Sequence, residues 1–229
     1  MAIVKKYPSK VKTIHKHING VYTLELESLA KPFKYEPGQF LHLALDEYDP
    51  AGQWPDSRCF SMQSAPREEL IKISFAVKGQ FTNRMQLELK PDKMVTLKLP
   101  YGNLFTREHN KIDTVFIAGG TGITPYLSLA TDLSFASYIK PTFYAGFRNK
   151  EMNFYHDQIR TAQKINPGLE VQIVYQDKDG ILDIEKIYQQ SSKCSSFFIS
   201  GPPKMIRIFK SYLLERGIAD NQVNTDDWE

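Results

Sequence analysis

The spacing of hydrophobic residues changes near the middle of the chain, and this change restricts the fold more than any other feature. In the first half, apolar and polar residues alternate, as they do in strands with one buried face. These runs cover residues 22–26, 41–45, 71–78 and 95–99. Turn-forming segments such as Glu36-Pro37-Gly38 separate them, and an amphipathic helix fits residues 83–89. The pattern is typical of a small antiparallel β-barrel or sandwich.

The second half alternates strands with helices. Short apolar strands are predicted at residues 114–118, 141–145, 170–175 and 196–200. Each is followed by a segment that can be helical, and Ile206, Phe209 and Leu213 form a helical stripe in the last one. Repeated strand–helix units build a parallel sheet with helices on both faces, an architecture that binds nucleotides. Because residues 107–111 are polar, we predict two domains, residues 1–108 and 109–229.

Charge, hydropathy and cysteine content exclude several functional classes. The 229 residues carry a formal net charge of +3 without a run of five basic residues, which argues against a nucleic-acid partner. No segment approaches the roughly 18 consecutive apolar residues of a membrane span, and residues 1–12 do not resemble a signal peptide. We therefore expect a cytoplasmic protein with no membrane partner. Cys59 and Cys194 are too few to hold an iron–sulfur cluster by thiolates, and no metal site is predicted.

The strongest candidate for a ligand site in the second half is a glycine-rich turn between a buried strand and a helix. It contains Gly119, Gly120, Thr121 and Gly122, followed by Thr124 and Pro125. Backbone N–H groups and the positive end of a helix dipole suit a pyrophosphate at such a turn. The same glycines also fit a tight turn without a ligand. The spacing differs from the Gly-x-Gly-x-x-Gly pattern and from the Gly-Lys-Ser/Thr loop, which disfavours kinase or ATPase chemistry.

Two further segments carry residue types that suit a cofactor. Gly201, Pro202, Pro203 and Met205 follow the last predicted strand, where glycine permits close approach of a ligand and proline can begin a helix. Plain helix initiation explains this segment equally well. In the first half, the segment 58–61 reads Arg-Cys-Phe-Ser. An arginine suits a phosphate, an aromatic ring suits a flat heterocycle, and a hydroxyl can bond a ring nitrogen.

Taken in order, these motifs resemble those of the ferredoxin–NADP reductase superfamily, and the resemblance covers nearly the whole chain. The motifs are Pro37-Gly38-Gln39-Phe40, Arg58-Cys59-Phe60-Ser61, Phe75-Ala76-Val77-Lys78-Gly79-Gln80-Phe81-Thr82, Pro100-Tyr101-Gly102, the Gly119–Pro125 turn, Gly201-Pro202-Pro203-Lys204-Met205 and Asp226-Asp227-Trp228. The resemblance implies an N-terminal antiparallel β-barrel that binds flavin and a C-terminal Rossmann-like α/β domain that binds NAD(P)H.

The resemblance also implies a role for each residue on the flavin side. Arg58 would contact a flavin phosphate, the ring of Phe60 would pack on the isoalloxazine, and Ser61 would lie beside the nitrogen that accepts the hydride. Gly79 and Thr82 would cup the pyrophosphate of FAD at a helix start. The remaining cofactor-binding residues on this side are Cys59, Phe75, Val77, Lys78, Gln80 and Phe81. FAD is the expected cofactor, with FMN the less favoured alternative.

On the nicotinamide side, the resemblance assigns the Gly119–Gly122 turn, Thr124, Pro125 and the segment from Gly201 to Met205 to NADH or NADPH. Thr121 would position the nicotinamide, so Ser61 and Thr121 are the expected catalytic pair. Trp228 stands where the family keeps a C-terminal aromatic residue near the flavin. Arg148 and Lys150 could hold a 2′-phosphate, yet Glu151 stands next to them, so the sequence leaves the choice between the two coenzymes open.

Three departures from the family pattern bear on function. Phe60 replaces the usual tyrosine, a change found in flavin reductases that use flavin as a substrate. Ser200 stands where many members have a cysteine, and we expect no attached ferredoxin-like domain. The sequence therefore predicts a flavoprotein that passes electrons from NAD(P)H to a separate acceptor protein such as a ferredoxin or an oxygenase. The alternatives are an NAD(P)H:flavin reductase that releases reduced flavin, and a non-enzymatic nucleotide sensor.

Overall fold

The chain divides into two compact units, Met1–Asn103 and Leu104–Glu229. Their architecture comes from a computed structural model, which describes residues 3–226. Leu104 and Phe105 pack with the hydrophobic core of the second unit. The placement of the domain boundary between residues 108 and 109 stays a prediction.

The first unit is a six-stranded antiparallel sheet with one helix, and its strand order is β4-β3-β6-β1-β2-β5. Its elements are β1 (Lys5–Lys16), β2 (Val21–Ser28), β3 (Phe40–Ala44), β4 (Ser57–Ser61), β5 (Ile71–Ala76), α1 (Gln80–Glu88) and β6 (Met94–Tyr101). Just beyond β4, the Gln63 N–H donates to the Lys72 carbonyl of β5 at 2.7 Å. The two outer strands of the order thus approach each other, and the sheet curls into a barrel.

Alternation along these strands fills the interior of the barrel. Leu24, Leu41, Ile73 and Leu97 come from four different strands and are completely buried, because every second side chain points to the same face. Helix α1 adds Phe81 and Met85 to this core.

The second unit is a five-stranded parallel sheet with the strand order β11-β10-β7-β8-β9. Its strands are β7 (Asp113–Gly119), β8 (Lys140–Phe147), β9 (Glu170–Tyr175), β10 (Ser196–Ser200) and β11 (Val223–Thr225). Its helices are α2 (Thr124–Ala130), α3 (His156–Ile165), α4 (Gln176–Asp179), α5 (Ile184–Gln190) and α6 (Pro203–Glu215). The chain runs outward from β7 through β8 to β9 and then returns to place β10 on the other side of β7.

Two hydrophobic clusters lie in this unit. One contains Phe116, Phe143 and Leu127, and the other contains Ile117, Ile199 and Leu213. Phe116 and Ile117 are consecutive residues of β7, so their side chains enter opposite faces of the sheet. The helices therefore cover both faces, and residues Gly119 and Ser200 end neighbouring strands at one edge.

The predicted fold class is confirmed: an antiparallel near-barrel precedes a parallel α/β sheet. The stripe of Ile206, Phe209 and Leu213 forms the buried side of α6. Helix α1 begins three residues before the predicted segment 83–89. The alternation did not reveal β1, in which lysines surround the buried residues Tyr7 and Val11; lysine is depleted in strands.

None of the helices found among residues 3–226 combines the length and the apolar character required to cross a membrane.

Candidate functional site

The Arg-Cys-Phe-Ser segment forms the end of β4, and Arg58 is its exposed member. The guanidinium of Arg58 donates to Asp56 Oδ1 at 2.8 Å and to the Ser57 carbonyl at 2.8 Å. It also lies 5.2 Å from the centre of the Phe81 ring in α1, a cation–π distance. This contact places an exposed positive charge beside the first turn of α1.

Phe60 and Ser61 are mostly covered, with 8% and 6% of their surfaces exposed. The ring of Phe60 meets Phe75 edge to face, with centroids 6.3 Å apart, and Phe75 stacks on Tyr22 at 5.2 Å. Phe75 is buried, so its part in a flavin site would be to support Phe60 from behind. The exposed part of Phe60 is small, and the area that it can offer to a flavin ring in this conformation is correspondingly limited.

Cys59 faces a different set of neighbours. The register of β3 with β4 pairs it with His42, and its Sγ lies 3.5 Å from His42 Nε2. Burial raises the pKa of the Cys59 thiol, and burial together with Lys98 lowers the pKa of His42. Both shifts favour the neutral forms, so this pair does not generate a reactive thiolate at neutral pH.

The segment before α1 has the geometry of an anion site. Gly79 precedes the helix in an extended conformation, with φ of −160°, which any residue can adopt. A Cβ atom built on Gly79 would meet no atom within 4 Å. The Thr82 hydroxyl accepts the backbone N–H groups of Lys78 and Gly79 at 2.9 and 3.1 Å. The space over Gly79 is therefore open, next to first-turn N–H groups that have no carbonyl partner within a helix.

The other residues of this segment have structural contacts as well. Val77 donates its N–H to the Gly20 carbonyl at 3.0 Å and packs on the core of the barrel. Phe81 is buried, whereas Lys78 and Gln80 are exposed. Exposed residues of this segment thus flank Gly79, and apolar residues anchor the segment to the barrel.

In the second unit, the two predicted turns touch each other. A Cβ atom on Gly122 would lie 2.5 Å from the Ser200 carbonyl oxygen, and one on Gly201 would lie 2.9 Å from the Gly119 nitrogen. A Cβ atom on Gly119 would lie 2.8 Å from Pro202 Cδ and 3.0 Å from Met205 Sδ. Backbone approaches this close exclude side chains. The glycines of both turns therefore bring the ends of β7 and β10 together.

Gly120 differs from its neighbours. Its φ of +57° lies in the left-handed region, and a Cβ atom there would meet nothing within 4 Å. Thr121, next to it, is half-buried and its carbonyl accepts the Thr124 hydroxyl at 2.9 Å. Thr124 and Pro125 are buried in the first turn of α2. The open space at this edge is thus over Gly120 and beside Thr121.

A carboxylate at this edge was not predicted from the sequence. Ser200 is buried, and its hydroxyl donates to Asp226 Oδ2 at 3.1 Å. The Asp226 N–H donates to the Ile199 carbonyl at 3.0 Å, which fixes its backbone after β11. Burial, and secondarily the charge of Asp226, raises the pKa of Tyr126 in α2 well above its usual range. This carboxylate belongs to the motif Asp226-Asp227-Trp228, in which the family resemblance assigns a role to the aromatic residue alone.

One predicted residue, Arg148, stands apart from these groups. Arg148 is exposed, directly after β8. Trp228 lies outside the described residues. The structure thus brings together Arg58 with Phe81, Phe60 with Phe75, and the two glycine turns with each other. Their assignment to cofactors stays a prediction.

Comparison with known proteins identifies the second unit. A family described as the oxidoreductase NAD-binding domain matches residues 116–211. The chain is 32% identical over 155 residues to methane monooxygenase component C of Methylosinus trichosporium, covering 66% of this chain and 44% of that protein. It is 31% identical over 205 residues to a component of the Na(+)-translocating NADH-quinone reductase of Methylococcus capsulatus, covering 76% and 49%. The chain spans about half the length of the curated relatives it matches.

Solved structures match nearly the whole chain. The cytochrome P450 reductase GcoB of Amycolatopsis superimposes with a TM-score of 0.83 at 18% identity, covering 98% of this chain and 70% of that one. A ferredoxin NADP+ reductase from Neisseria gonorrhoeae, solved with bound FAD and NADP, gives 0.79 at 16% identity and covers 99% of both chains. At these identities the likeness concerns the fold. The chain thus contains a segment, residues 116–211, that matches an oxidoreductase NAD-binding domain, and it has the two-domain fold of these solved reductases.

Proposed function

We propose that this chain is a flavin-dependent NAD(P)H oxidoreductase. Its first unit binds FAD, its second unit binds NADH or NADPH, and electrons leave for a separate acceptor protein. The observation that carries the proposal is Gly79: its backbone conformation suits any residue, and its side-chain position is open. Neither a strained backbone nor close packing requires glycine at this helix start, whereas a phosphate lying against the Cα atom would.

The surroundings of Gly79 suit the phosphates of a flavin nucleotide. Arg58 contributes an exposed guanidinium beside α1, and Lys78 is an exposed residue next to Gly79. Both cations and the helix start favour a dianionic or pyrophosphate group. The phosphates would also be surrounded by the other residues of this segment, Val77, Gln80, Phe81 and Thr82. The flavin ring would be lined or supported by Cys59, Phe60 and Phe75. Its reactive nitrogen would lie next to Ser61.

On the nicotinamide side, we propose that the dinucleotide binds in the open space over Gly120. Gly119, Gly122, Gly201 and Met205 hold the two turns together, and Thr121 would orient the nicotinamide. The helices that follow these turns begin at Thr124 and Pro125 in α2 and at Pro202 and Pro203 in α6. Ser200 holds Asp226 at this edge, where a carboxylate can accept a hydrogen bond from a carboxamide.

A bound flavin would supply the redox chemistry, since flavins accept a hydride from a dihydronicotinamide and release electrons. The chain itself supplies positions for the two nucleotides. Ser61 Oγ would donate a hydrogen bond to the flavin nitrogen. The relatives include reductase components of propane and phenol monooxygenases, which supports an oxygenase or another redox protein as the acceptor.

An absorption spectrum of the purified chain, followed by anaerobic titration with NADH and with NADPH, tests this proposal. A flavin spectrum that bleaches on addition of either nucleotide is the expected result. Arg58→Gln should weaken flavin binding by about 10- to 100-fold, because a charge-assisted hydrogen bond is lost. Arg84→Gln is the matched control: it removes a cation of α1 that is paired with Asp46 and Glu88, and flavin affinity should not change.

A second candidate is an NAD(P)H:flavin reductase that takes up flavin and releases it reduced. The small exposed area of Phe60, and the absence of the tyrosine hydroxyl at this position, favour weak binding of the ring. This candidate predicts a colourless protein that consumes NADH only when flavin is added. Retention of one flavin per chain through gel filtration would exclude it. Failure to bind flavin at all would overturn both candidates.

A further inference from the structure

A buried glutamine of the first unit uses only one end of its side-chain amide. Gln63 follows β4 and is 3% exposed. Its Oε1 accepts the Ser74 hydroxyl at 2.6 Å, and its backbone N–H donates to the Lys72 carbonyl at 2.7 Å. No atom of the described residues accepts a hydrogen bond from Gln63 Nε2. A buried donor without an acceptor is costly, so we expect Nε2 to bond a polar ligand.

Gln39 provides the comparison, because it is a buried glutamine of the same unit with a purely structural role. It is 4% exposed. Its Oε1 accepts the Glu36 N–H at 2.7 Å, and its Nε2 donates to the Gly102 carbonyl at 2.9 Å. The fold therefore uses both ends of the Gln39 amide, whereas it uses only the oxygen end of Gln63.

A series of hydroxyl groups fixes the orientation of the Gln63 amide. Ser74 Oγ lies 2.9 Å from Thr23 Oγ1, which lies 3.0 Å from His17 Nε2. Since the Ser74 hydroxyl donates to Gln63 Oε1, it accepts from Thr23. Hydrogen bonds in such a series polarise one another, which makes the amide a better donor at its other end. The two polar atoms of an amide diverge from one carbon, so Nε2 points away from Ser74.

The backbone places Gln63 on the same side of the chain as Ser61. Met62, between them, is completely buried. Its N–H donates to the Gln39 carbonyl on one side, whereas the N–H of Gln63 donates to Lys72 on the other, as in extended chain. Residues two apart in extended chain share a face and lie about 6.6 Å apart. The unused amide nitrogen thus lies one side-chain position beyond the serine proposed to contact the flavin.

Resting on the proposed function, we propose that Gln63 Nε2 donates a hydrogen bond to the pyrimidine half of the flavin ring, and that Ser74 is the positioning residue that aims it. The carbonyl oxygens of the ring system are all in that half, and the opposite half carries methyl groups, so an amide N–H selects the pyrimidine side. Reduction adds negative charge to this half. The bond is therefore stronger to reduced than to oxidised flavin, and it raises the midpoint potential.

The midpoint potential of the flavin-loaded chain, measured by anaerobic equilibration with a reference dye, tests the inference. Gln63→Met keeps the length of the side chain and removes the donor. The Ser74 hydroxyl can then turn its hydrogen to Thr23 Oγ1. We expect the affinity for reduced flavin relative to oxidised flavin to fall about tenfold, which lowers the two-electron midpoint potential by about 30 mV. Ser74→Ala should lower the same ratio by about threefold, because the amide is kept but no longer aimed.

Thr13→Val is the matched control. The Thr13 hydroxyl donates to Glu25 Oε2 at 2.8 Å between β1 and β2, and this bond has no connection to Gln63. The variant removes one hydroxyl hydrogen bond from the same sheet, as Ser74→Ala does, and the midpoint potential should stay that of the unmodified chain. Urea denaturation of all three variants measures how much each substitution loosens the first unit.

The possible outcomes separate the inference from the proposed function. An unchanged potential in Gln63→Met, in a chain whose flavin NADH or NADPH still reduces, would overturn the inference while the proposed function stands. An equal shift in Thr13→Val would also overturn it, because the potential would then follow the stability of the barrel. A shift in Gln63→Met without one in Ser74→Ala would remove the positioning role of Ser74. An unmodified chain that binds no flavin would overturn both proposals.

Discussion

Gly79 and Gly122 both stand between the end of a strand and the start of a helix, yet their surroundings differ. A Cβ atom on Gly79 would meet nothing, whereas one on Gly122 would lie 2.5 Å from the Ser200 carbonyl oxygen and 2.6 Å from two backbone atoms of Gly201. The turn of the second unit needs glycine so that two backbone segments can pack. The turn of the first unit has no such packing need, and the open space over its glycine agrees with the phosphate site proposed there. Sequence alone presents both as glycine turns before a helix.

Replacing Gly122 should give the largest effect on stability. In Gly122→Ala the new methyl group meets backbone atoms of Ser200 and Gly201, which cannot turn away as a side chain can. We expect the free energy of unfolding to fall by about 3 kcal/mol, as for overpacking of a rigid core. Urea denaturation followed by circular dichroism measures this change. An unchanged midpoint would mean that the two turns are not packed as described.

Replacing Gly79 should leave the fold intact and weaken flavin binding. Gly79→Ala loses a favoured residue at the start of a helix but restricts the unfolded chain, so the net change in stability should stay within about 0.5 kcal/mol. If a phosphate lies against Cα, the methyl group displaces it, and the dissociation constant for FAD should rise by about 10- to 100-fold. Fluorescence titration with FAD measures the affinity.

Gly52→Ala is the matched control for Gly79→Ala. Gly52 lies in an exposed loop of the same unit, and its Cβ would make ordinary contacts with Asp49, the nearest at 3.5 Å. Both variants should unfold at similar urea concentrations, and only Gly79→Ala should bind FAD more weakly. Equal affinities for FAD in the two variants would remove the observation on which the proposed function depends.

Ser200 tests whether the turn region of the second unit has a functional role besides its packing. Ser200→Ala removes the hydroxyl that bonds Asp226, which should cost about 1 kcal/mol of stability. If Asp226 helps to orient the nicotinamide, the rate of flavin reduction by NADH should also fall, by about tenfold. Anaerobic stopped-flow absorbance measures the rate. A loss of stability with an unchanged rate would assign the Ser200–Asp226 pair to the fold alone.

Local sequence patterns were sufficient to predict the architecture. Alternation predicted strands such as β2, and the apolar run 196–200 coincides with β10, because burial of one or both faces leaves a periodic signal. The short strand β11 has only three residues, too few for a period to be recognised. Its position decides where Asp226 lies, so the carboxylate next to Ser200 was missed together with the strand.

The contacts that distinguish the two regions depend on residues far apart in the chain. Gly122 is glycine because of Ser200 and Gly201, and Cys59 is half-buried beside His42 because of the register between β3 and β4. The order of residues along the sequence indicates neither the contacts of Gly122 nor the pairing of Cys59 with His42. The chemical types in the two motifs could be predicted, but the reason for each glycine required the three-dimensional structure.

Lowering the pH should produce the smallest effect on stability. This test again compares the two units, because each contains a histidine whose pKa is lowered by burial. In the second unit, His109 Nδ1 donates to the Arg107 carbonyl at 2.7 Å, and Nε2 accepts from the Tyr138 hydroxyl at 2.6 Å. In the first unit, His42 has the Cys59 thiol beside it. Burial lowers the pKa of both histidines below the ordinary 6.5, so the unfolded chain binds protons more readily. Their contribution to stability is complete above pH 6.5 and is lost as the pH falls through the lower folded values.

His109→Gln and His42→Gln should therefore each flatten the dependence of unfolding free energy on pH between about 7 and about 5. At neutral pH the two variants should differ, because only His109→Gln breaks two well-formed hydrogen bonds of a half-buried imidazole, at a cost of about 1 kcal/mol. Urea denaturation at several pH values measures both quantities. Since burial also raises the pKa of Tyr138, its hydroxyl remains a donor throughout this range, and of the two hydrogen-bonded groups only the imidazole of His109 titrates. A slope that stays as steep in His109→Gln as in the unmodified chain would show that folding does not lower the pKa of this imidazole.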